Sequence, residues 1–242
     1  MQRLGFTRSA HRADHLLLTP DTFIRAPLPG MTNATAIVHA APALGAAFTQ
    51  YTAEFAPGGT LGPASGQRFL YVLEGEVSVA GKSLSIDDYC YLPPGDSTPV
   101  IARSKARAAV IEKPYQSLAG KPAPGMLTGR ESAIAPKALL DDPTIEVRCL
   151  LPDDFAFDFA VNTMTYQPGA TLPLVEIHVM EHGLVMLAGG GIYRLGDDWY
   201  PVTEGDFIWM GPYCPQWFGA LGKVPAKYLI YKDWNRHPQG QP

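Results

Sequence analysis

Residues 166–172 read YQPGATL, and residues 55–61 read FAPGGTL. Each segment places a Pro-Gly turn between an aromatic residue and a Thr-Leu pair. Two further matches follow in the same order, residues 70–75 (LYVLEG) with 184–189 (LVMLAG) and residues 88–94 (DYCYLPP) with 206–212 (DFIWMGP). Ordered self-similarity of this kind indicates a duplicated structural unit.

The matched segments carry the pattern of short β-strands. Residues 48–55 and 69–73 are rich in aromatic and β-branched residues, and glycine and proline bound them. The 242-residue chain holds 24 glycines and 23 prolines without a period, which favours many strands and turns over long helices. The sequence therefore predicts an all-β fold.

Changes of pattern along the chain set the predicted boundaries. Residues 1–35 are polar and contain several prolines, which predicts an arm that packs over a domain. Residues 116–142 predict a linker with a helical turn near residues 137–140. The predicted segments are an N-terminal arm (1–35), a first β domain (36–115), a linker (116–142), a second β domain (143–233) and a C-terminal tail (234–242).

Composition excludes several classes of partner. The formal net charge is -4 and no Lys/Arg cluster is present, so we expect neither nucleic acid nor an anionic membrane surface as partner. No apolar run reaches the ~20 residues of a membrane span. Three cysteines far apart in sequence offer no disulfide framework. We expect a cytoplasmic protein, a small-molecule substrate and a homo-oligomer.

Residues 176–182 (EIHVMEH) are the strongest candidate for chemistry, because they hold two of the six histidines beside two carboxylates. Imidazole and carboxylate ligands suit a first-row divalent metal, and the absence of thiolates points away from structural zinc. The alternative is a half-buried strand whose histidines only make hydrogen bonds. Three ligand-type residues this close favour the metal.

The local spacing predicts how these side chains point. Residues 174–179 alternate as a strand does, so Glu176 and His178 project to one side, whereas Glu181 faces away from its neighbour His182. A straight strand would carry His182 roughly 20 Å from Glu176. The chain must therefore turn between His178 and His182.

A family resemblance starts from the spacing of residues 169–189. Gly169 is followed, after six residues, by Glu176-x-His178-x3-His182, and six further residues lead to Gly189. This pattern resembles the first cupin motif. The resemblance implies two cupin (jelly-roll-like) β-barrels with an N-terminal arm, that is, a bicupin in which the two predicted β domains are the barrels.

Residues 205–206 leading to Pro212-x-x-Pro215-Gln216 resemble the second cupin motif. The usual cupin ligands are three histidines and a glutamate, whereas here Glu176 takes the first His position, His182 the Glu position and Gln216 the last His position. This departure resembles the bicupin (S)-ureidoglycine aminohydrolases of purine (allantoin) catabolism. That resemblance implies Mn2+ held by Glu176, His178, His182 and Gln216, although other divalent first-row metals suit the same donors.

The same resemblance implies substrate contacts and a reaction, the hydrolytic deamination of (S)-ureidoglycine. Tyr228 and Lys232 share one strand face and are expected to contact substrate and act in catalysis, with Gln216 and, as a weaker candidate, Tyr193 also lining the pocket. Alternatively, Lys232 is a solvent-facing lysine at a strand end and Tyr193 a core residue. A different metal cupin enzyme, a dioxygenase or an isomerase, or a non-catalytic metal- or ligand-binding bicupin are the rival functions.

Several other groups are expected to be structural. Arg68 and Thr98 stand where His182 and Gln216 stand in the second copy, so the first copy is expected to hold no metal. His11 and His15 are expected to be surface histidines. The pair at residues 197–198 is expected in a hairpin turn, and Cys214 is expected to be a buried structural cysteine.

Overall fold

The structure, a computed structural model, describes residues 6–233, 235 and 236. Most of the predicted C-terminal tail lies outside these residues. The described strands, in chain order, are β1 Ala10–His11, β2 His15–Leu18, β3 Met31–Ala40, β4 Thr49–Leu61, β5 Gln67–Glu74, β6 Glu76–Val79, β7 Lys82–Ser85, β8 Asp88–Leu92, β9 Val100–Ala102, β10 Ala106–Lys113, β11 Leu127–Arg130, β12 Lys137–Leu139, β13 Asp142–Cys149, β14 Ala160–Tyr166, β15 His182–Ala188, β16 Gly190–Leu195, β17 Asp198–Thr203, β18 Phe207–Met210, β19 Gln216–Ala220 and β20 Ala226–Lys232.

Helical structure in the described residues is limited to three short 3-10 turns, Pro20–Thr22, Pro42–Leu44 and Glu131–Ala133. The prediction of an all-β fold is confirmed. Within the same residues, no helix is long and apolar enough to cross a membrane.

The chain divides into two compact units. The unit called the N-terminal barrel below comprises Ile24–Ala135 and Pro152–Asp158, and the unit called the C-terminal barrel comprises the chain up to Phe23, Pro136–Leu151 and the chain from Phe159 onward. These units do not follow the predicted segment boundaries. The predicted arm and linker are each shared between the two units because both contribute strands to sheets.

The N-terminal barrel is built on one antiparallel sheet with the strand order β11-β8-β5-β10-β4-β9-β6-β7, in which β3 also pairs with β4. The C-terminal barrel has an eight-stranded sheet, β1-β2-β18-β15-β20-β14-β13-β12, and a three-stranded sheet, β17-β16-β19. Each barrel encloses its own apolar core. The alternation of side chains along each strand explains these cores, because every second residue of a strand faces the interior.

Two glycines at matched positions show why the duplicated turns must keep their sequence. Gly75 and Gly189 have φ angles of 72° and 64°, in the left-handed region that favours glycine. A Cβ atom would lie 2.1 Å from the Lys105 carbonyl oxygen in the first case and 2.4 Å from the Pro225 carbonyl oxygen in the second. Both barrels therefore require glycine at this turn.

A second repeated feature is a buried aspartate that binds an arginine from a flanking segment. The Arg130 guanidinium donates to both Asp88 carboxylate oxygens in the N-terminal barrel, at 2.7 and 3.1 Å. The Arg8 guanidinium donates to both Asp206 oxygens in the C-terminal barrel, at 2.6 and 2.9 Å. The segments that hold these arginines also pair their strands β11 and β2 with the aspartate strands β8 and β18.

The strand predicted at residues 174–179 is wrong. Only Glu176 forms a β-bridge there, opposite Gln216, and the preceding bridge joins Thr171 to Gly219. Four residues separate the bridging positions 171 and 176, whereas only two residues separate their partners 219 and 216 in β19. The extra residues bulge outward, which exposes Leu174, and a continuous ladder cannot form.

Two smaller predictions are also corrected. The helical turn predicted near residues 137–140 is strand β12, which pairs with β13. His15 is buried rather than a surface histidine, because β2 joins the sheet edge beside β18 and its ring packs against Tyr200. His11 is exposed, and residue 197 lies in the hairpin turn between β16 and β17, as predicted.

We predict that Arg8→Ala lowers the free energy of unfolding of the C-terminal barrel by about 1–3 kcal/mol, because it leaves the fully buried Asp206 carboxylate without its charged donor. Arg12→Ala is the matched control, since its ion pair with Asp198 is exposed on both sides and its loss should change the free energy of unfolding far less. All four tryptophans follow residue 198, so urea unfolding monitored by tryptophan fluorescence reports this barrel. Equal destabilisation by both variants would contradict the anchoring role of Arg8.

Candidate metal centre

Glu176 and Gln216 lie directly opposite each other in the C-terminal barrel. The Glu176 amide donates to the Gln216 carbonyl at 2.8 Å, and the Gln216 amide donates to the Glu176 carbonyl at 2.9 Å. Residues that exchange both backbone hydrogen bonds in an antiparallel pair project their side chains to the same face. The turn before β19 therefore sets the Gln216 amide beside the Glu176 carboxylate.

His178 joins this pair through a short local contact. Its Nε2 atom is 3.2 Å from Glu176 Oε2. Two ligand atoms bound to one ion at ~2.1 Å and at right angles are about 3 Å apart, so this separation suits a shared ion. The chain bends at residues 179 and 180, as predicted, and brings the His178 ring centroid to 5.2 Å from that of His182.

His182 is the first residue of β15 and is buried. Its Nδ1 atom is 3.3 Å from the Tyr231 carbonyl oxygen, which only accepts hydrogen bonds, so Nδ1 carries the proton and Nε2 keeps its lone pair. The pKa of His182 is lowered to about 3, mainly by burial and to a smaller extent by the charges of Lys232 and His178. His182 is therefore neutral near pH 7, the form that binds a metal.

Gln216 Oε1 is buried and has no hydrogen-bond partner among the described residues. A buried acceptor without a donor is costly, on the order of 1–3 kcal/mol, unless another group satisfies it. A cation near Glu176 and His178 would do so. Glu176, His178, His182 and Gln216, together called the candidate metal centre below, thus offer a donor set that fits a divalent ion.

Lys232 and Tyr228 face the same interior as His182. Lys232 is the register partner of His182 across β15 and β20, and Tyr228 lies four pairs further along, opposite Met186. Burial lowers the pKa of the Lys232 ammonium, and the charge of Glu176 opposes that shift. Lys232 is thus a partly desolvated ammonium group close enough to Glu176 to sense its charge.

Three buried phenols lie in the same interior, and one of them, Tyr166, is absent from the site predicted from sequence. The Tyr166 and Tyr228 hydroxyls are 2.9 Å apart. Burial raises the pKa of Tyr166, Tyr193 and Tyr228, and the negative charge of Glu176 raises each further. They are neutral hydrogen-bonding groups that face Glu176. Tyr166 is the last residue of β14 and lies on the same face of that strand as Met164, two residues earlier. The alternation of side chains along a strand could therefore have identified Tyr166 from sequence.

The N-terminal barrel differs at the equivalent register. Arg68 pairs with Glu112 across β5 and β10, as His182 pairs with Lys232 across β15 and β20. The Arg68 guanidinium donates to Glu112 at 2.8 Å and to the Gly62 carbonyl at 2.8 Å. A cavity of about 280 Å³ adjoins this ion pair. A fixed cation at this position disfavours the binding of a metal ion. It supports the expectation of a metal-free first barrel, which stays a prediction.

A second cluster of ligand-type side chains lies in the C-terminal barrel. Among the described residues, Asp14, His15 and Cys214 have ligand atoms that all lie within 4.8 Å of one another. Glu176, His178 and His182 do not form such a closely spaced group. Cys214 is buried, as predicted.

The chain is similar to a known domain family and to curated proteins. A model of the cupin domain matches residues 162–231. The chain is 41% identical to an (S)-ureidoglycine aminohydrolase of Arabidopsis thaliana, over 97% of this chain and 80% of that protein. It is 32% identical to an (S)-ureidoglycine aminohydrolase of Escherichia coli K12, over 91% of this chain and 88% of that protein.

Solved structures agree with the fold. The crystal structure of a protein described as a putative glyoxylate-induced protein of Pseudomonas aeruginosa superposes with a TM-score of 0.89 at 31% identity, over 100% of this chain and 96% of that one. With two cupin-like sheets in the chain, the prediction of a bicupin is confirmed.

Proposed function

Because the chain belongs to the (S)-ureidoglycine aminohydrolase family, we propose that its C-terminal barrel hydrolyses (S)-ureidoglycine at the candidate metal centre. The reacting carbon carries an amine, a ureido nitrogen and a carboxylate. The bond to the amine breaks, a bond to the oxygen of water forms, and the products are (S)-ureidoglycolate and ammonia.

One observation carries the assignment of the site. Gln216 Oε1 is a buried acceptor with no partner in the described chain, and it lies on the face that also carries Glu176. Neutral His182 completes the set with an imidazole whose tautomer leaves Nε2 available. These are the four residues that the departure from the usual cupin motif selects.

We propose Mn2+ as the ion, with a glutamate, two neutral histidines and a neutral amide as its protein donors. The bound ion would supply positive charge that anchors the substrate's carboxylate or amine and polarises the reacting centre. Glu176 is the only anion among the donors, so a divalent ion would keep about one net positive charge. That charge favours an anionic substrate.

Lys232 is proposed to donate a proton to the departing amine. Burial lowers its pKa, which makes the ammonium group a better acid, and its register opposite His182 directs it into the same interior. It also supplies a positive charge for the substrate carboxylate. The Glu176 carboxylate partly compensates the cost of burying this ammonium.

The phenols are proposed to bind the ureido group. Tyr228 and Tyr166 share a hydrogen bond, and Tyr193 is buried in the same interior. Neutral hydroxyls both donate and accept hydrogen bonds, which suits a group with a carbonyl oxygen and N–H donors. Their burial fixes the rings and so orients the substrate.

We also propose a cytoplasmic location and a homo-oligomer. Cys90, Cys149 and Cys214 are free thiols, and Cys149 is exposed, which fits a reducing compartment. Apolar side chains beside the candidate metal centre, those of Leu174, Ile177 and Tyr213, are more than half exposed, which fits contact with another subunit.

The proposed metal dependence is tested by chelation and reconstitution. The chelated protein should release ammonia from (S)-ureidoglycine no faster than the spontaneous reaction, and Mn2+ should restore the rate. Fe2+, Co2+, Ni2+ and Zn2+ added separately show the metal preference. Full activity after complete chelation, or oxygen consumption by the iron-loaded protein, would contradict the proposal.

Gln216→Glu is expected to retain manganese and to lower kcat/KM by about 10-fold or more. An added carboxylate removes the residual positive charge of the ion and repels the substrate carboxylate. Gln216→Asn shortens the side chain without adding charge and serves as a control for geometry. Unchanged kcat/KM in Gln216→Glu with full manganese content would place Gln216 outside the metal centre.

A further inference from the structure

The Asp14, His15 and Cys214 cluster is independent of the proposed reaction. Asp14 and His15 come from the segment that begins β2, and Cys214 comes from the turn between β18 and β19. The Asp14 side chain is 45% exposed, whereas His15 and Cys214 are almost fully buried. The cluster therefore has a dry interior side and one opening to solvent.

Hydrogen bonds hold both nitrogens of the His15 ring. The Nε2 atom lies 2.9 Å from the Tyr200 hydroxyl, which is also 3.1 Å from Asp198 Oδ2. The Nδ1 atom lies 2.9 Å from Asp14 Oδ1, so the ring is fixed with an imidazole nitrogen beside a carboxylate oxygen.

The Cys214 sulfur adds a third ligand atom to this pair, because its Sγ atom lies within 4.8 Å of both the Asp14 and His15 ligand atoms. A carboxylate oxygen, an imidazole nitrogen and a sulfur atom this close together can bind one shared metal ion.

We propose that Asp14, His15 and Cys214 form a second metal site, selective for Zn2+. Thiolate, imidazole and carboxylate are the zinc donors, whereas a thiolate is a poor ligand for Mn2+. When the ion binds, a zinc–sulfur bond forms, the thiol proton passes to solvent, and the charges of one carboxylate and one thiolate balance those of Zn2+. Water enters beside the exposed Asp14 as the fourth ligand.

The position of this site gives it a structural role. The Gly211 amide donates to the Asp14 carbonyl at 2.8 Å, and Cys214 lies two residues before Gln216. His15 continues into β2, which pairs with β18. A zinc ion here would fasten the first strands of the C-terminal barrel to the turn that places Gln216 in the candidate metal centre.

The test uses the full-length protein loaded with Mn2+ and then exposed to Zn2+, followed by removal of free metal. Wild type should retain its manganese and bind about one additional zinc ion per chain, with a sulfur scatterer at ~2.3 Å in zinc X-ray absorption spectra. Cys214→Ala and His15→Gln should each lose the additional zinc, whereas Cys149→Ser, which removes an exposed thiol, should keep it.

The absorption measurement on wild type alone decides the proposal if a variant fails to fold. No additional zinc, zinc that only displaces manganese, or zinc without a sulfur ligand would each overturn it. Retention of the additional zinc by a folded Cys214→Ala protein would overturn it as well. Failure of the proposed reaction leaves these results unaffected, because none of them measures turnover.

Discussion

Lys232→Met is expected to fold, to retain its manganese and to lower kcat/KM for (S)-ureidoglycine by about 10²–10⁴-fold, the range that a positioned proton donor contributes. Methionine preserves the apolar packing of the stem and deletes the charge. Loss of the charge removes both the proton donor and the electrostatic partner of the substrate carboxylate. Steady-state kinetics with metal analysis on the same sample measures the effect.

The control for Lys232→Met is Lys227→Met on the same strand. Lys227 pairs with Thr165, so its side chain belongs to the face of β20 opposite to that of Tyr228. This variant should keep wild-type kcat/KM. Wild-type turnover by Lys232→Met would show that the Lys232 ammonium takes no part in the reaction and would remove the main support for the substrate assignment beyond the metal donors.

His182→Gln is expected to weaken manganese binding by more than about 100-fold, since loss of a group that only orients a metal ligand already costs 10–100-fold. The glutamine roughly preserves side-chain volume and removes the imidazole Nε2. Manganese content after gel filtration should fall from about one ion per chain to near zero, and ammonia release should fall with it.

His11→Gln is the matched control for His182→Gln because His11 is exposed. It should retain full manganese content and activity. Full manganese content in a folded His182→Gln protein would move the ion away from β15 and would contradict the assignment of the candidate metal centre.

The duplication was accessible from sequence because each repeated segment has a local physical requirement. The glycines at 75 and 189 must adopt positive φ angles beside a backbone carbonyl, so their spacing from the flanking strands is preserved in both copies. Strand parity also predicted that Tyr228 and Lys232 share a face, and the register with β15 confirms it. Their roles in catalysis stay proposals.

Other features depend on contacts between distant segments, which local pattern does not encode. The alternation at residues 174–179 has the pattern of a strand. However, the bridges to β19 at residues 171 and 176 are too far apart in sequence for a continuous ladder, which forces a bulge. His15 resembles a surface histidine until β2 pairs with β18, and then Tyr200 covers it. The contact between the Tyr166 and Tyr228 hydroxyls likewise depends on the pairing of β14 with β20.

The initial rate of ammonia release from freshly prepared (S)-ureidoglycine, with chiral analysis of the product, tests the central claim most directly. The manganese-loaded protein should release one ammonia for each (S)-ureidoglycolate formed, at a rate far above that of the spontaneous reaction. Ammonia release at the spontaneous rate, or a racemic product, would show that the C-terminal barrel does not catalyse this hydrolysis.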